Sequence, residues 1–261
     1  MIPLVSRLFI YPIKSLDRVE VETATILKSG ALKRDRTWAI FDRSRKFVNG
    51  KRHQKIHAIR SGFDFKTNTV ALSLQEEAID KFQIDRERDA IERWLSNYFG
   101  FPVNIQQNSE MGFPDDTVSP GATIISTATL EAIASWYPGL EVEEVRKRFR
   151  ANIEISGVPA FWEDRLFTTP EDTVSFQIGD VHMIGVNPCQ RCVVITRDSQ
   201  TGKAYPNFQK TFINKRKETL PQWTERSQFN HYYRLAVNTR VPETEVGKTI
   251  AIGDELIYTT D

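Results

Sequence analysis

The sequence predicts a mainly β protein with inserted helices, an α+β chain whose two halves are each barrel-like. Three observations carry that reading. Most apolar residues fall in short β-type runs: Val5–Ile10, Val19–Ile26, Thr37–Phe41, Thr69–Leu74, Thr123–Ile125, Ile153–Ile155, Val193–Thr196 and Leu256–Tyr258. Tight Gly-Asp turns enter strands at Ile178-Gly179-Asp180-Val181 and Ile252-Gly253-Asp254-Glu255. Strands do not alternate regularly with helices, which disfavours a doubly wound sheet and favours barrels with insertions.

Helical spacing is rarer. Ile91, Trp94, Leu95 and Tyr98 recur at i, i+3, i+4 and i+7, predicting a helix over 90–99 that Gly100 stops. A second is expected over 129–136, with Leu130, Ile133 and Ala134 on one face and Pro138-Gly139 ending it. A third is expected over 143–148, and the polar, Pro-containing stretch 203–226 reads as excursions or short helices. The first helix and the loop 101–119 give the best division, into an N-terminal unit of residues 1–115 and a C-terminal unit of 116–261.

Composition narrows the function classes. With 261 residues, 40% hydrophobic and 26% charged, the chain has a core and is not a disordered one. Lys and Arg number 35 against 34 Asp and Glu, so no global field recruits nucleic acid or an anionic membrane, and any anion site must be local. Pro3, Arg7, Pro12 and Lys14 break the apolar N-terminus, so neither a secretory signal nor an anchor is expected. Two cysteines, Cys189 and Cys192, exclude a disulfide framework and suit a reducing cytoplasm.

The pair lies in Asn187-Pro188-Cys189-Gln190-Arg191-Cys192-Val193-Val194-Ile195-Thr196. Structural zinc wants about four ligands, and of the histidines only His53 and His57 are closely spaced, far upstream. A thioredoxin-like pair wants a helix after its first thiol, whereas the β-branched run after Cys192 favours a strand. Two buried thiols acting as small hydrophobes is the bland reading. The fourth is a single thiolate offered from a loop to a soft metal, with Arg191 helping to keep Cys192 ionised.

Three basic segments are candidate anion seats. In Tyr11-Pro12-Ile13-Lys14-Ser15 a cation and a hydroxyl meet at a strand end, although from the residues alone a solvated lysine in a turn is favoured. In Lys33-Arg34-Asp35-Arg36-Thr37-Trp38, alternation puts Arg36 on one face with Trp38. In Arg146-Lys147-Arg148-Phe149-Arg150-Ala151-Asn152-Ile153, Arg150 and Asn152 share a face where a helix gives way to a strand. A charge run of this kind is ordinarily a solvated face, and the net charge is too small for a nucleic-acid stripe.

Taken in order, these motifs and the Ile252-Gly253-Asp254 turn resemble the MOSC-domain family with its N-terminal β-barrel domain. The likeness is greatest to the mitochondrial amidoxime-reducing component branch and to bacterial reductases of N-hydroxylated bases. It spans essentially the whole chain. Where relatives commonly read Phe-Arg-Pro-Asn, Ala151 stands for the proline and both polar residues are kept.

The resemblance implies a molybdenum cofactor, a pterin dithiolene with a phosphate tail, and no pyridoxal phosphate. By motif position it implies Cys192 as the metal ligand and catalytic residue. Lys14 and Ser15 would bind the phosphate end, and Arg36, Arg150 and Asn152 the pterin and phosphate, with Ser119 and Arg191 as further contacts. It implies oxygen-atom removal from hydroxylamines, amidoximes or N-hydroxylated bases. Because the chain stops at Asp261 without further cysteines, electrons are expected from an external donor such as a ferredoxin, flavodoxin, cytochrome b5-like protein or flavin reductase. The mitochondrial members' N-terminal anchor is not expected here, nor is a membrane or nucleic-acid partner. The alternative is a carrier of the cofactor, or of sulfur as a cysteine persulfide; a third reading is a metal-free interaction module.

Overall fold

A computed structural model describes residues 2–74 and 78–258 of the chain. The N-terminal part contains β1 (Leu4–Ile10), β2 (Val19–Val21), β3 (Thr23–Thr25), β4 (Trp38–Asp42), β5 (Ile59–Asp64), β6 (Thr69–Leu74), β7 (Asp80–Gln83), α1 (Arg88–Phe99) and β8 (Val103–Gln107). Then follow β9 (Ile124–Ser126), α2 (Thr127–Ser135), α3 (Val142–Phe149), β10 (Ile153–Ser156), β11 (Val174–Ile178) and β12 (Val181–Gln190). The chain closes with α4 (Phe208–Glu218), β13 (Arg234–Arg240), β14 (Thr249–Ala251) and β15 (Leu256–Tyr258). The fold is mainly β with α insertions, as the sequence predicts.

An eight-stranded sheet runs β15-β11-β12-β13-β9-β10-β1-β2. Its neighbours are antiparallel except β9 and β10. The first strand therefore completes a sheet built mostly from the C-terminal half, with Leu8 opposite Ile153. Leu8, Ile10, Ile124, Ile153, Ile155 and Val237 are buried together against that sheet. Smaller sheets pair β4 with β8, β3 with β14, and β5 with β6 and β7. Helix α1 buries Ile91, Leu95 and Phe99 against this N-terminal group and ends at Gly100, whose φ of 80° is left-handed and costs a glycine little.

The three predicted helices form at nearly the expected positions. Ser126 caps α2 by accepting from the Thr129 N–H at 3.1 Å. Helix α3 carries Glu143 and Glu144 in its first turn and Arg146, Lys147 and Arg148 in its last, matching the helix dipole at both ends. The run Val19–Ile26 divides at Glu22, because its two halves serve different sheets: β2 pairs with β1 and β3 with β14. The expected strand Val193–Thr196 is a short 3-10 turn. The regular strand ends at Gln190, before the second cysteine, and the turn closes through Thr196 Oγ1 donating to the Val193 carbonyl. No helix among the described residues is long and apolar enough to cross a membrane.

Candidate functional site

Sheet pairing gathers the motifs. Phe9 N–H donates to the Asn152 carbonyl at 2.8 Å, and Asn152 Nδ2 donates to the Phe9 carbonyl at 3.0 Å. The segment leaving β1, residues 11–15, thus lies beside the α3–β10 junction. Strand β12 delivers the cysteines to the same end of the sheet, and Arg191 N–H bonds to the Tyr233 carbonyl just before β13. Between these segments lies a cavity of about 870 Å³. Lys14, Ser15, Arg36, Ser119, Arg150, Asn152, Arg191 and Cys192 all line it. The described residues of its wall include eleven Lys and Arg against five Asp and Glu, so the local excess of positive charge is far larger than the chain's +1.

The two thiols differ. Cys189 is buried and its Sγ donates to Asn238 Oδ1 at 2.7 Å; burial pushes the thiol up to about 11, so it stays protonated. Cys192 is half-buried on the cavity wall. Arg191, expected to help keep Cys192 ionised, instead has its Nη2 donating to the Phe149 carbonyl at 2.6 Å and its guanidinium over the Phe149 ring. Its charge acts on Cys189 instead, partly opposing the effect of burial. Cys192 also precedes only a four-residue 3-10 turn, which supplies no α-helical dipole of the thioredoxin kind.

Lys14 corrects the solvated-turn reading. It is 6% exposed, and its Nζ donates to the Phe113 carbonyl at 2.9 Å and pairs with Asp115 Oδ1 at 2.7 Å. Burial pushes its ammonium pKa below the ordinary value, with Asp115 pulling the other way. Ser15 beside it has φ 73°, a left-handed backbone unusual for serine. Ser119 is buried, and its N–H is fixed by Asp116 Oδ1 at 3.1 Å.

Arg36 does not share a face with Trp38. Arg34 and Arg36 have φ of 71° and 49°, so the segment turns and strand alternation begins only at β4. Trp38 is covered by Arg88, while Arg36 pairs with Asp35 and lies over the Tyr11 ring at 5.3 Å. Arg150 lies over the same ring at 4.1 Å. It occupies the C-cap of α3 at φ 54°, a left-handed conformation that an arginine adopts only when its surroundings hold it. It makes no ion pair among the described residues, and burial pushes its pKa down. A guanidinium in that position favours an anionic partner. The rest of the run is not a solvated face: Arg146 bonds buried Glu154, and Arg148 is buried against Glu144.

Several wall residues escape a reading by motif. Tyr11 is the platform on which two arginines from distant segments meet; its N–H donates to Asp35 Oδ1 at 2.9 Å and its hydroxyl to the Ala151 carbonyl at 3.3 Å. Tyr11 heads the Tyr11–Ser15 motif, but nothing local to it marks the ring as a platform. Asp115 lies 101 residues from Lys14, beyond any local pattern. His57, Arg60 and Arg197 also line the cavity, from a turn, the start of β5 and a loop without distinctive composition. Gly121 permits a close crossing, since a Cβ there would sit 2.5 Å from the Thr239 carbonyl oxygen.

Among the described residues no three His, Cys, Asp or Glu groups could together hold a metal. A metal at this site would therefore need most of its ligands from a chelating organic group, with one thiolate from the chain. The cationic walls, the unpaired Arg150 and the single accessible thiol fit a phosphorylated, pre-chelated metal of that kind.

Residues 2–102 match the MOSC N-terminal beta barrel domain and residues 121–257 the MOSC domain. The molybdenum cofactor sulfurase of Homo sapiens is 26% identical over 248 residues, covering 76% of this chain and 27% of the sulfurase. Mitochondrial amidoxime-reducing component 1 of Homo sapiens is 27% identical over 237 residues, covering 76% of this chain and 67% of that protein. Mitochondrial amidoxime reducing component 2 of Bos taurus is 26% identical over 245 residues, with the same two coverages. The chain spans between a quarter and a third of the human and bovine sulfurases it matches.

Proposed function

This chain belongs to the MOSC-domain family, and from that premise we propose that it is a molybdenum-cofactor oxidoreductase that reduces N-hydroxylated compounds. One observation carries the reading: Lys14, Arg36, Arg150 and Cys192, from four distant segments, line one cavity.

Cys192 would ligate the metal, Lys14 and Ser15 would hold the phosphate, and Arg36, Arg150, Asn152, Ser119 and Arg191 would orient the pterin. Each charge-assisted hydrogen bond to the phosphate contributes roughly 1.5–3 kcal/mol. When bound, the cofactor supplies two-electron removal of an oxygen atom, so that an N–OH group, two electrons and two protons give an N–H group and water. The chain would bind the cofactor and orient it at the cavity wall. No His or carboxylate of the motifs stands out as a general acid, and arginines do not release protons near neutrality, so the protons come from solvent. The electrons come from a separate donor protein, and the substrates are hydroxylamines, amidoximes or N-hydroxylated bases.

Likeness to the sulfurases favours a second reading, in which Cys192 carries persulfide sulfur or the chain delivers the cofactor. Purified protein assayed for molybdenum and for benzamidoxime reduction with an artificial electron donor separates the two. Reduction supports the enzyme; full molybdenum loading without reduction, or a persulfide on Cys192 by mass spectrometry, supports the carrier.

A further inference from the structure

One corner of the cavity is built from segments that the cofactor reading leaves unused: the turn Gln54–Ala58 with Arg60, and the loop that follows the cysteines. Arg197 Nη1 donates to the Gly50 carbonyl at 2.5 Å, and Arg60 Nη2 to the carbonyls of His57 at 2.5 Å and Ser199 at 3.1 Å. These bonds lace the two segments together. Gly202 closes the loop onto the imidazole, since a Cβ there would stand 3.3 Å from His57 Cδ2 and nearer still to Gln54.

The corner holds more donors than its own acceptors satisfy. Among the described residues the Arg60 Nε donor is buried without a hydrogen-bond partner, and so is His57 Nε2, one of the two nitrogens of an imidazole that can donate or accept. Asp17 offsets Arg60 at 3.3 Å, whereas Arg197 makes no ion pair among the described residues. Burial, and then the charges of Arg197, Arg150 and Arg60, push the imidazole down to about 4, so it is neutral and the two guanidinium groups supply the charge. Guanidinium groups lining a cavity with more positive charge than local carboxylates offset are matched by an anion that enters it.

We propose that Arg197, Arg60 and His57 form a subsite for the acidic group of the substrate, a carboxylate or phosphate, so that the preferred N-hydroxylated substrates are anions. The identity of the reacting group rests on the function proposed above; the anion subsite does not.

The test uses holoprotein with an artificial electron donor and two matched pairs: benzamidoxime with para-carboxybenzamidoxime, and N-hydroxycytidine with its 5′-monophosphate. The expected result is a kcat/KM at least about tenfold higher for the anionic member of one or both pairs. Arg197→Gln is expected to erase most of that ratio, and Arg197→Lys, which keeps the charge, to retain much of it. The pair showing the larger ratio distinguishes a phosphate from a carboxylate. Calorimetric titration with the products benzamidine and para-carboxybenzamidine reads binding without turnover. The proposal is overturned if the wild type shows no preference for the anion in either measurement. It is also overturned if Arg197→Gln leaves the preference intact, or if that variant loses molybdenum, which would assign Arg197 to the cofactor. If wild-type protein reduces no N-hydroxylated compound, the functional reading fails, and the calorimetric preference with its response to Arg197→Gln still decides the subsite.

Discussion

Cys189 Sγ donates to Asn238 Oδ1 across the β12–β13 pair, so the first thiol of the motif is buried and bound into the sheet, while the second, also on the cavity wall, is the more accessible. The two cysteines should therefore respond differently to substitution. Cys192→Ser is expected to abolish reductase activity with any donor. Cys189→Ser keeps a donor for Asn238 and is expected to stay within about threefold of wild type, its cost being a stability change on the order of 1 kcal/mol. Molybdenum content and benzamidoxime turnover of both variants check this; equal losses would show that the pair acts together.

Lys14 and Asp115 make the second prediction. Lys14 is buried and Asp115 exposed, and both line the cavity, so the aspartate competes with any incoming anion for the same ammonium. Lys14→Ala should weaken cofactor retention by roughly tenfold to a hundredfold, the value of one charge-assisted hydrogen bond. Asp115→Asn should retain the cofactor at least as well as wild type. Molybdenum per protein after prolonged dialysis is the measurement, and unchanged retention in Lys14→Ala would remove Lys14 from the site.

The sequence was legible where a pattern is local and obscure where a partner is distant. The spacing of Ile91, Leu95 and Phe99 and the stop at Gly100 specify α1 without help from the rest of the chain. Val193–Thr196 misled because β-branched residues prefer strands only when a partner strand is present; here β12 has already ended. Arg36 departs from strand alternation because the chain turns through left-handed residues at Arg34 and Arg36 before β4 begins. The types of the site residues could be read from motifs, but their convergence depends on β1 pairing with β10, a contact between residues nearly 150 apart. Tyr11, which both Arg36 and Arg150 cover, is visible as a shared platform only once that pairing exists.

Strand β12, which carries the cysteines, crosses very close to the backbone at Leu166. A Cβ on Gly185 would lie 1.6 Å from the Leu166 carbonyl oxygen, a distance no rotamer relieves. Gly185→Ala is therefore expected to cost about 3 kcal/mol or more, and to lower Tm by roughly 10 °C for a chain of this size. A calorimetric scan checks it, and a Tm within 2 °C or so of wild type would mean that the two segments part easily.

The last prediction concerns pH. Glu163 is fully buried; its Oε2 accepts from the Thr129 hydroxyl at 3.0 Å, while Oε1 has no partner among the described residues. Burial first, and then the neighbouring Asp164, push its carboxyl from the ordinary 4.5 up to about 7. Burial also pushes the Asp164 carboxyl up, with Arg216 and Thr224 pulling the other way. A carboxyl whose folded pKa lies above its unfolded value favours folding fully at low pH. That contribution is lost as pH rises from about 4.5 through about 7. The loss amounts to about 3 kcal/mol, at 1.36 kcal/mol per pKa unit. Glu163→Gln cannot ionise, so relative to wild type it should gain about that much stability between pH 4.5 and pH 8, even if its amide carries a constant cost from lacking a partner. Urea denaturation of both proteins at pH 5 and pH 8 measures the difference directly. A stability gap between them that does not change with pH would show that Glu163 ionises in the folded protein as it does in water.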